Sequence, residues 1–471
     1  MQYPPPPQHP PYQQRMSPAG PPDRTKRSIW PAVSVLTALV LIGAGLLIAT
    51  WPDDSPARAA DAKSSPTPSP QRTSTVGDVA WQVDAPASVP AGITDRQVTG
   101  EGAWLTSRSY VTGAPDAVKG YAPDTGKELW NIPLAGNICA VSRTQTTTGH
   151  VAVAYANGRK LASRCTEMAV IDLNRGAVAW QTSLPKERST RGLRMSVAVS
   201  GDIAAVGWPG QGIPGGSAGY KISTGEQLWS KPPSGCAADE HAGGAVLVTV
   251  SMCGGRYKAG TRNARTGKIN WHFTAPRGTS DVWIPSTAPL ILALNDNPDR
   301  SEASRLVSLS PKGEVQATWK AGRTYVTGCG YTRPDCGGVV ARGSTLYLAT
   351  PETSDTSSTI KAFDTRTGRA TWSYTPPVRE VTRTLFPIQA QDGALIAYMP
   401  PTQVRGGEVH QISGGKSKLL MRREDGFSPP EADMIDTHID APVYFADGRL
   451  FLHDSGEYRG GGTMTMALAA E

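Results

Sequence analysis

Residues 361–372 read Lys-Ala-Phe-Asp-Thr-Arg-Thr-Gly-Arg-Ala-Thr-Trp, and this stretch contains the unit from which most of the chain is built. A short apolar run leads to Asp364, a turn follows at Gly368, and a second run ends at Trp372. Asp and Thr side chains bond to nearby backbone and Gly adopts positive φ, so the stretch predicts a tight hairpin between two strands. Two alternating runs upstream, at 338–341 and 344–350, supply two further strands. Four short strands of this kind make one propeller blade.

The same unit recurs along the chain. Seven tryptophans follow one another at intervals of 42 to 53 residues, and six of them have a glycine four residues earlier. A period of this length, built from strands and turns, indicates a propeller or another repeat array. We expect each Trp to lie on an outermost strand, where it covers the gap to the next blade. The repeat residues are Gly77, Trp81, Gly126, Trp130, Gly176, Trp180, Gly225, Trp229, Gly267, Trp271, Trp319, Gly368 and Trp372.

Two degenerate copies complete the series. Gly313 precedes Trp319 by six residues instead of four, and Gly415 is followed four residues later by Leu419, where Trp is expected. The markers from Trp81 to Leu419 then number eight. They predict an all-β, eight-bladed propeller with about 49 residues per blade. Seven blades is the alternative, if the Leu419 copy is not a true blade.

The two ends of the repeat region complement each other. The sequence from Thr463 to Glu471 matches the strand before the turn and then stops, whereas the first repeat begins at Val76 with the turn and the outer strand. We therefore predict a closing blade shared by both ends of the chain. Pairing the two pieces would close the ring and leave no exposed sheet edge between the terminal blades.

With these repeats, the chain resembles the pyrroloquinoline-quinone-like (PQQ-like) β-propeller repeat family, whose signature is Ala-x-Asp-x-x-Thr-Gly-x-x-x-Trp. The resemblance covers roughly residues 76–471. Members of the family include quinone-dependent alcohol and sugar dehydrogenases, an outer-membrane assembly lipoprotein and many bacterial extracytoplasmic domains. The repeats are structural, so the resemblance implies the fold and leaves the activity open.

The segment before the propeller predicts a membrane anchor. Residues 1–27 form a tail with nine prolines in its first 22 residues, a composition that predicts a disordered or polyproline-like cytoplasmic segment. Residues 28–52 carry no charge, and as a helix these 25 residues would be about 37 Å long, enough to cross a bilayer. Basic residues dominate before this segment and acidic ones after it, which places the N-terminus in the cytoplasm.

Residues 53–75 are rich in Pro, Ser and Thr and predict an extended linker to the domain at 76–471. The expected location is thus the cell membrane, single-pass, with the propeller outside. A cleaved signal peptide is the alternative, and Ala57-Arg-Ala59 is its candidate cleavage site. The tail, single helix and linker resemble those of membrane-anchored actinobacterial proteins.

Cysteine usage favours the same location. The six cysteines all follow the predicted helix and fall two to a blade, and such disulfides persist in oxidising compartments. Six cysteines allow fifteen pairings, of which pairing within each blade costs the least geometrically. Buried free thiols are the alternative. The residues are Cys139, Cys165, Cys236, Cys253, Cys329 and Cys336.

Charge and motifs limit the chemistry. The net charge is +7 and no Lys/Arg run follows Arg27, so nucleic acid is not an expected partner. In the dehydrogenases of the family, adjacent cysteines cover the quinone, a Trp stacks beneath it, and Glu, Asn and Asp bind calcium. This sequence has neither a Cys-Cys pair nor a Cys-x-x-Cys-His haem motif. We predict no cofactor, neither quinone nor calcium, and assign no catalytic or metal residue.

Binding residues, if present, are expected on the segments that follow each Trp, since loops on a rigid scaffold commonly carry recognition. Asp436, His438 and Asp440 alternate, so on a strand they would share one face. A protein or peptide partner suits such a mixed rim better than a buried apolar ligand. The candidate rim residues are Arg191, His241, Asp281, Trp283, Arg323, Tyr325, Arg383, Asp436, His438 and Asp440.

The expected function is a non-catalytic binding or scaffold module at the cell envelope. Its partners would be the membrane, through one helix, and an envelope protein or ligand that the sequence does not identify. The alternative is a quinone- or metal-dependent oxidoreductase with an atypical site, so the sequence does not decide between enzyme and non-enzyme.

Overall fold

The computed structural model describes most of the chain after residue 74. The described ranges are 75–85, 102–160, 163–184, 195–208, 216–231, 236–297, 302–329, 336–378, 382–391, 393–424, 431–432, 434, 442–454 and 462–470. The predicted tail, membrane helix and all but the last residue of the linker lie outside these ranges. Within them, no helix is long and apolar enough to cross a membrane.

The described strands form consecutive antiparallel units of four, each in the order of the chain. Blade 1 contains β2 (Ala103–Leu105), β3 (Tyr110–Ala114), β4 (Ala117–Tyr121) and β5 (Glu128–Pro133). Blade 2 contains β6 (Ile138–Val141), β7 (His150–Ala156), β8 (Cys165–Asp172) and β9 (Ala177–Ser183). Blade 3 contains β10 (Ser196–Ser200), β11 (Ile203–Trp208), β12 (Gly216–Lys221) and β13 (Gln227–Lys231). Blade 4 contains β14 (Cys236–Ala242), β15 (Leu247–Cys253), β16 (Arg256–Arg262) and β17 (Phe273–Thr274).

The same order continues through the second half of the chain. Blade 5 contains β18 (Asp281–Thr287), β19 (Leu290–Asn295), β20 (Arg305–Leu309) and β21 (Val315–Lys320), followed by a short 3-10 helix at Gly322–Thr324. Blade 6 contains β22 (Val339–Arg342), β23 (Thr345–Ala349), β24 (Ile360–Asp364) and β25 (Ala370–Tyr374). Blade 7 contains β26 (Phe386–Gln391), β27 (Ala394–Met399), β28 (Glu408–Ser413) and β29 (Lys416–Arg423).

The closing blade joins both ends of the chain, as the sequence predicted. Its strands are β30 (Tyr444–Ala446), β31 (Arg449–His453), β32 (Thr463–Ala470) and, from the N-terminal side, β1 (Val76–Asp84). β1 pairs antiparallel with β32, with Gly77 opposite Ala470. It also pairs in parallel with the end of β29, with Val76 opposite Arg422. The described strands thus form seven four-stranded units and one mixed closing blade.

Five turn glycines pack on the tryptophan of the preceding blade: Gly126, Gly176, Gly225, Gly267 and Gly313. A Cβ placed on Gly126 would lie 2.6 Å from the Trp81 ring, and Gly126 has a φ of +66°. Trp81 Nε1 donates a hydrogen bond to the carbonyl oxygen of Pro123 in the same turn, at 3.0 Å. Trp180, Trp229 and Trp271 likewise donate to the next blade's turn, at 2.6, 2.7 and 2.8 Å. The Gly–Trp spacing therefore encodes contacts between blades.

The two degenerate copies differ from the prediction in one respect. In blade 7, Met421 contacts Gly77, since a Cβ on that glycine would lie 2.7 Å from Met421 Cγ. Met421, six residues after Gly415, thus makes the contact assigned above to Leu419, which pairs instead with His410. Trp319 is likewise six residues after Gly313 and packs edge-on against Phe363. In blade 5 the contact with the next turn glycine is made by Ala317, since a Cβ on Gly368 would lie 3.2 Å from Ala317 Cβ. The shorter hairpin therefore moves the contacting residue in blade 7, whereas in blade 5 it stays four residues after the glycine.

Three disulfides staple individual blades. Cys139 on β6 bonds Cys165 on β8, Cys236 on β14 bonds Cys253 on β15, and Cys329 bonds Cys336 just before β22. All six cysteines of the chain are thereby paired. The pairing agrees with the prediction that each bond would form within one blade.

Apolar side chains from facing blades fill the space between the sheets. The largest fully buried side chains include Trp104 and Trp208, which lie outside the repeat positions. At the closing seam, Tyr110 stacks on Phe451 with ring centroids 4.8 Å apart, and Trp81 packs beside both rings. This seam between blade 1 and the closing blade is an aromatic core, as expected if ring closure depends on packing.

Candidate functional site

The structure separates the predicted rim residues into three groups. Arg191, Asp436, His438 and Asp440 lie outside the described residues. His241, Asp281, Trp283 and Arg383 are buried, with at most 7% of each residue exposed. Arg323 is exposed and Tyr325 is half-buried. Among the described members, therefore, only this last pair presents side chains at the surface.

The buried residues of blades 4 and 5 hold strands together. His241 lies on β14, where its Nδ1 is 2.9 Å from the hydroxyl of Thr249 on β15, and its ring meets that of Trp229 edge-on at 6.3 Å. Asp281 begins β18 and accepts the backbone N–H of Val282 at 3.0 Å. Trp283 belongs to the apolar core between blades 5 and 6. These contacts give the three side chains structural roles.

The exposed pair lies on the connection between blades 5 and 6. Arg323 is in the 3-10 helix, and Tyr325 follows it with its ring edge-on to Phe363 at 5.9 Å. Burial of the ring raises the pKa of Tyr325, so its hydroxyl remains a neutral donor at physiological pH. Arg and Tyr are both enriched at protein interfaces, and here they lie two residues apart on one connection.

Arg383 holds the loop between β27 and β28. Its guanidinium donates to the carbonyl oxygens of Met399, Pro400 and Gly406 at 3.3, 2.7 and 2.8 Å, and it pairs with Glu408 at 3.2 Å. Burial lowers the pKa of Arg383, while the Glu408 carboxylate acts in the opposite direction. A charge buried this deeply is stable only with such partners.

A second polar cluster surrounds Glu431, which is fully buried. Its Oε1 accepts a hydrogen bond from the Tyr398 hydroxyl at 2.6 Å, and its Oε2 lies 3.4 Å from Arg423 Nη1. Arg423 also approaches Asp78 of the closing blade at 3.6 Å. Burial raises the pKa of Glu431, and the Tyr398 and Arg423 contacts partly offset this effect. The cluster fixes Glu431 to blade 7 through Tyr398 on β27 and Arg423 on β29.

This cluster contains residues that sequence reasoning did not select. Tyr398 lies in an apolar run, and Arg423 lies in a strand without a motif. Glu431 opens the polar stretch that leads to Asp436, but nothing in the sequence indicates its burial. Only strand register and the position of Glu431 against blade 7 bring these groups together. No local signal could have identified them.

A quinone site of the family's dehydrogenase type does not fit this chain. All six cysteines are engaged in disulfides that join residues 26, 17 and 7 positions apart, so no ring of adjacent cysteines can form. Over the described residues, no group of three His, Cys, Asp or Glu side chains is placed to hold a metal ion.

The fold and these contacts define a disulfide-stapled β-propeller built on a Gly–Trp repeat. A sequence model described as outer membrane protein assembly factor BamB matches residues 72–374. This is more than half of the 471 residues, and the chain belongs to this BamB-type family of PQQ-like propellers. Among curated proteins, none matches the chain.

Several solved structures are similar to the chain in fold. BamB from Moraxella catarrhalis is 13% identical, with a TM-score of 0.46 over 84% of this chain and 100% of its own. The quinohemoprotein alcohol dehydrogenase ADHIIG from Pseudomonas putida HK5 is 11% identical, with a TM-score of 0.47 over 84% of this chain and 76% of its own. Hsv2 from Kluyveromyces lactis is 11% identical, with a TM-score of 0.40 over 69% of this chain and 99% of its own.

Proposed function

We propose that this chain is a single-pass, membrane-anchored protein whose propeller lies outside the cytoplasm and acts as a binding and scaffold module at the cell envelope. The observation that carries the proposal is that the chain belongs to a family whose sequence model is described as an outer membrane protein assembly factor. Three disulfides support the extracytoplasmic location, since such bonds persist in oxidising compartments. The uncharged segment at 28–52 supports the anchor.

The geometry supports binding over redox chemistry. Contacts between blades, the closing seam and the disulfides make a rigid ring, and rigid scaffolds lower the entropic cost of recognition. The connection that carries Arg323 and Tyr325 offers a polar and aromatic surface on this ring. The proposed partner is therefore an envelope protein or peptide that contacts this connection.

Site-specific photo-crosslinking in intact cells tests the binding proposal. A benzophenone amino acid is placed at Arg323, and the control places it at Leu129, an exposed position on β5 of blade 1. We expect a discrete adduct from position 323 and none from position 129. The same adducts from both positions, or none from 323, would contradict a partner at this connection.

A cofactor titration tests the alternative of a quinone enzyme. Tryptophan fluorescence of the purified protein is followed during addition of pyrroloquinoline quinone, with and without calcium. We expect no saturable quenching, because no ring of adjacent cysteines can form. Saturable, calcium-dependent quenching at micromolar quinone would replace the scaffold proposal with a dehydrogenase.

A further inference from the structure

Three polar side chains of blade 7 lie on one face of the sheet. Glu408 and His410 are two residues apart on β28 and therefore point to the same side. Ser417 on β29 lies opposite Ile412, which is two residues beyond His410, so it shares that side. Ile412 packs into the core between blades 6 and 7. The three polar groups thus lie toward blade 6, at the outer half of blade 7.

Hydrogen bonds connect the three side chains in a row, with His410 between Glu408 and Ser417. His410 Nε2 is 2.9 Å from Glu408 Oε2, and His410 Nδ1 is 2.9 Å from Ser417 Oγ. When Glu408 is ionised and His410 is neutral, the carboxylate can only accept, so the imidazole proton resides on Nε2. Nδ1 then offers its lone pair to the serine hydroxyl. This tautomer makes His410 the group that can take a proton from Ser417.

The carboxylate that orients the histidine is itself fixed. Glu408 Oε1 is 3.2 Å from Nη1 of Arg383, whose guanidinium is tied to three backbone carbonyls. At the other end of this hydrogen-bonded row, Ser417 is half-buried and reaches solvent, whereas the His410 and Glu408 side chains are mostly buried, with 11% and 14% exposed. A nucleophile, a base and an oriented acid within hydrogen-bond reach are the arrangement that activates serine in acyl transfer.

We propose that Ser417, His410 and Glu408 form a nucleophilic site that hydrolyses carboxylic esters. Ser417 Oγ attacks the ester carbonyl carbon while its proton passes to His410 Nδ1. The bond to the leaving alkoxide breaks, and the alkoxide takes that proton and departs as an alcohol. Water then attacks the acyl-serine, with His410 accepting and returning a proton, to give the carboxylic acid and free serine. Glu408 stabilises the imidazolium in both steps.

The strand that carries Ser417 can also supply donors for the developing oxyanion. Among the described strands, β29 has β28 as its only neighbour from Lys416 to Met421, and β1 pairs with it only from Arg422 onward. Edge strands present outward N–H groups outside the sheet ladder, and such groups stabilise oxyanions. Lys416 and Lys418 are exposed and flank Ser417, so esters that carry a negative charge are the favoured substrates.

Blade 2 contains a matched serine without the histidine. Ser183 on β9 donates to Glu167 Oε2 at 2.7 Å, on the cross-strand pair Glu167 and Ser183. Ser183 lies on the outer strand of its blade and hydrogen-bonds directly to the carboxylate, with no imidazole between the two groups. Ser183 should therefore have ordinary serine reactivity, which makes Ser183→Ala the control for Ser417→Ala.

A fluorophosphonate probe tests the site on the full chain in detergent. The probe forms a P–O bond to an activated serine and loses fluoride, and peptide mass spectrometry locates the adduct. We expect labelling at Ser417 that heat denaturation and Ser417→Ala abolish and that Ser183→Ala leaves unchanged. His410→Gln should slow labelling by about 100-fold or more, the range for loss of a general base.

Hydrolysis of p-nitrophenyl acetate and p-nitrophenyl succinate by the same variants measures turnover. We expect both esters to be cleaved, the succinate monoester faster, and Ser417→Ala to remove the activity. Thermal melts confirm folding of His410→Gln, and His410→Asn serves as a second variant. No adduct on Ser417 in the folded wild-type protein, or labelling at the wild-type rate in either His410 variant, would overturn the proposal. The result does not depend on the membrane anchor or on the envelope partner.

Discussion

At the level of single residues, the turn glycines make the sharpest prediction. Gly126 has positive φ and packs on Trp81, whereas Gly201 has a φ of +57° and a Cβ added there would meet nothing within 4 Å. Gly126→Ala should cost about 1–2 kcal/mol of backbone strain and about 1–3 kcal/mol more for overpacking. Gly201→Ala should cost the strain alone. Urea unfolding of both variants measures the difference, and equal losses would contradict the packing role of Gly126.

A second prediction for a single residue concerns Glu431 and the dependence of the free energy of unfolding on pH. Burial raises its pKa in the folded state, so the fold favours the protonated form. Its stabilising contribution is complete below the unfolded-state pKa and is lost as pH rises through the folded-state value. Relative to Glu431→Gln, the free energy of unfolding of the wild type should therefore increase as the pH falls from about 8 to about 4. Urea titrations at several pH values measure this difference, and a difference that is constant or falls with acidification would contradict it.

At the level of strands and loops, the disulfides constrain segments of different length. The bonds close loops of 26, 17 and 7 residues. Loop entropy predicts losses of about 3.5, 3 and 2.4 kcal/mol when each pair is replaced by alanine. The Cys139/Cys165 pair should therefore matter most and Cys329/Cys336 least. Chemical denaturation of the three double variants gives the order, and the reverse order would show that local packing outweighs chain entropy.

For the propeller as a whole, ring closure is the decisive feature. β32 lies between β1 and β31, so the closing blade depends on residues from both ends of the domain. Removing Thr463–Glu471 should eliminate the central strand of that blade and cost about 5 kcal/mol or more, comparable with the stability of a domain. The control removes Glu471 alone. Differential scanning calorimetry compares the two, and a truncated chain that melts like the control would contradict this closure.

The sequence predicted the architecture well because the information is local and repeated. Gly126 and Trp130, four residues apart, lie in one blade, and the same spacing recurs often enough to identify the outer strands and the split closing blade. The prediction for Leu419 was wrong because hairpin length sets which residue of the outer strand faces the next blade. Met421 takes that position in blade 7, and only the register of β28 and β29 shows it.

The repeat, the turns, the closing blade and the pairing of cysteines blade by blade could all be read from the amino-acid order, since each depends on spacing within one unit. The polar contacts could not, because they either join residues far apart along the chain or depend on the register of paired strands. Tyr398 meets Glu431 across 33 residues, and Arg383 meets Glu408 across 25. Burial of His241 and Arg383 also followed from packing between strands. Such contacts depend on strand register and on how loops fold back on their blades, which residue types and short spacings do not specify.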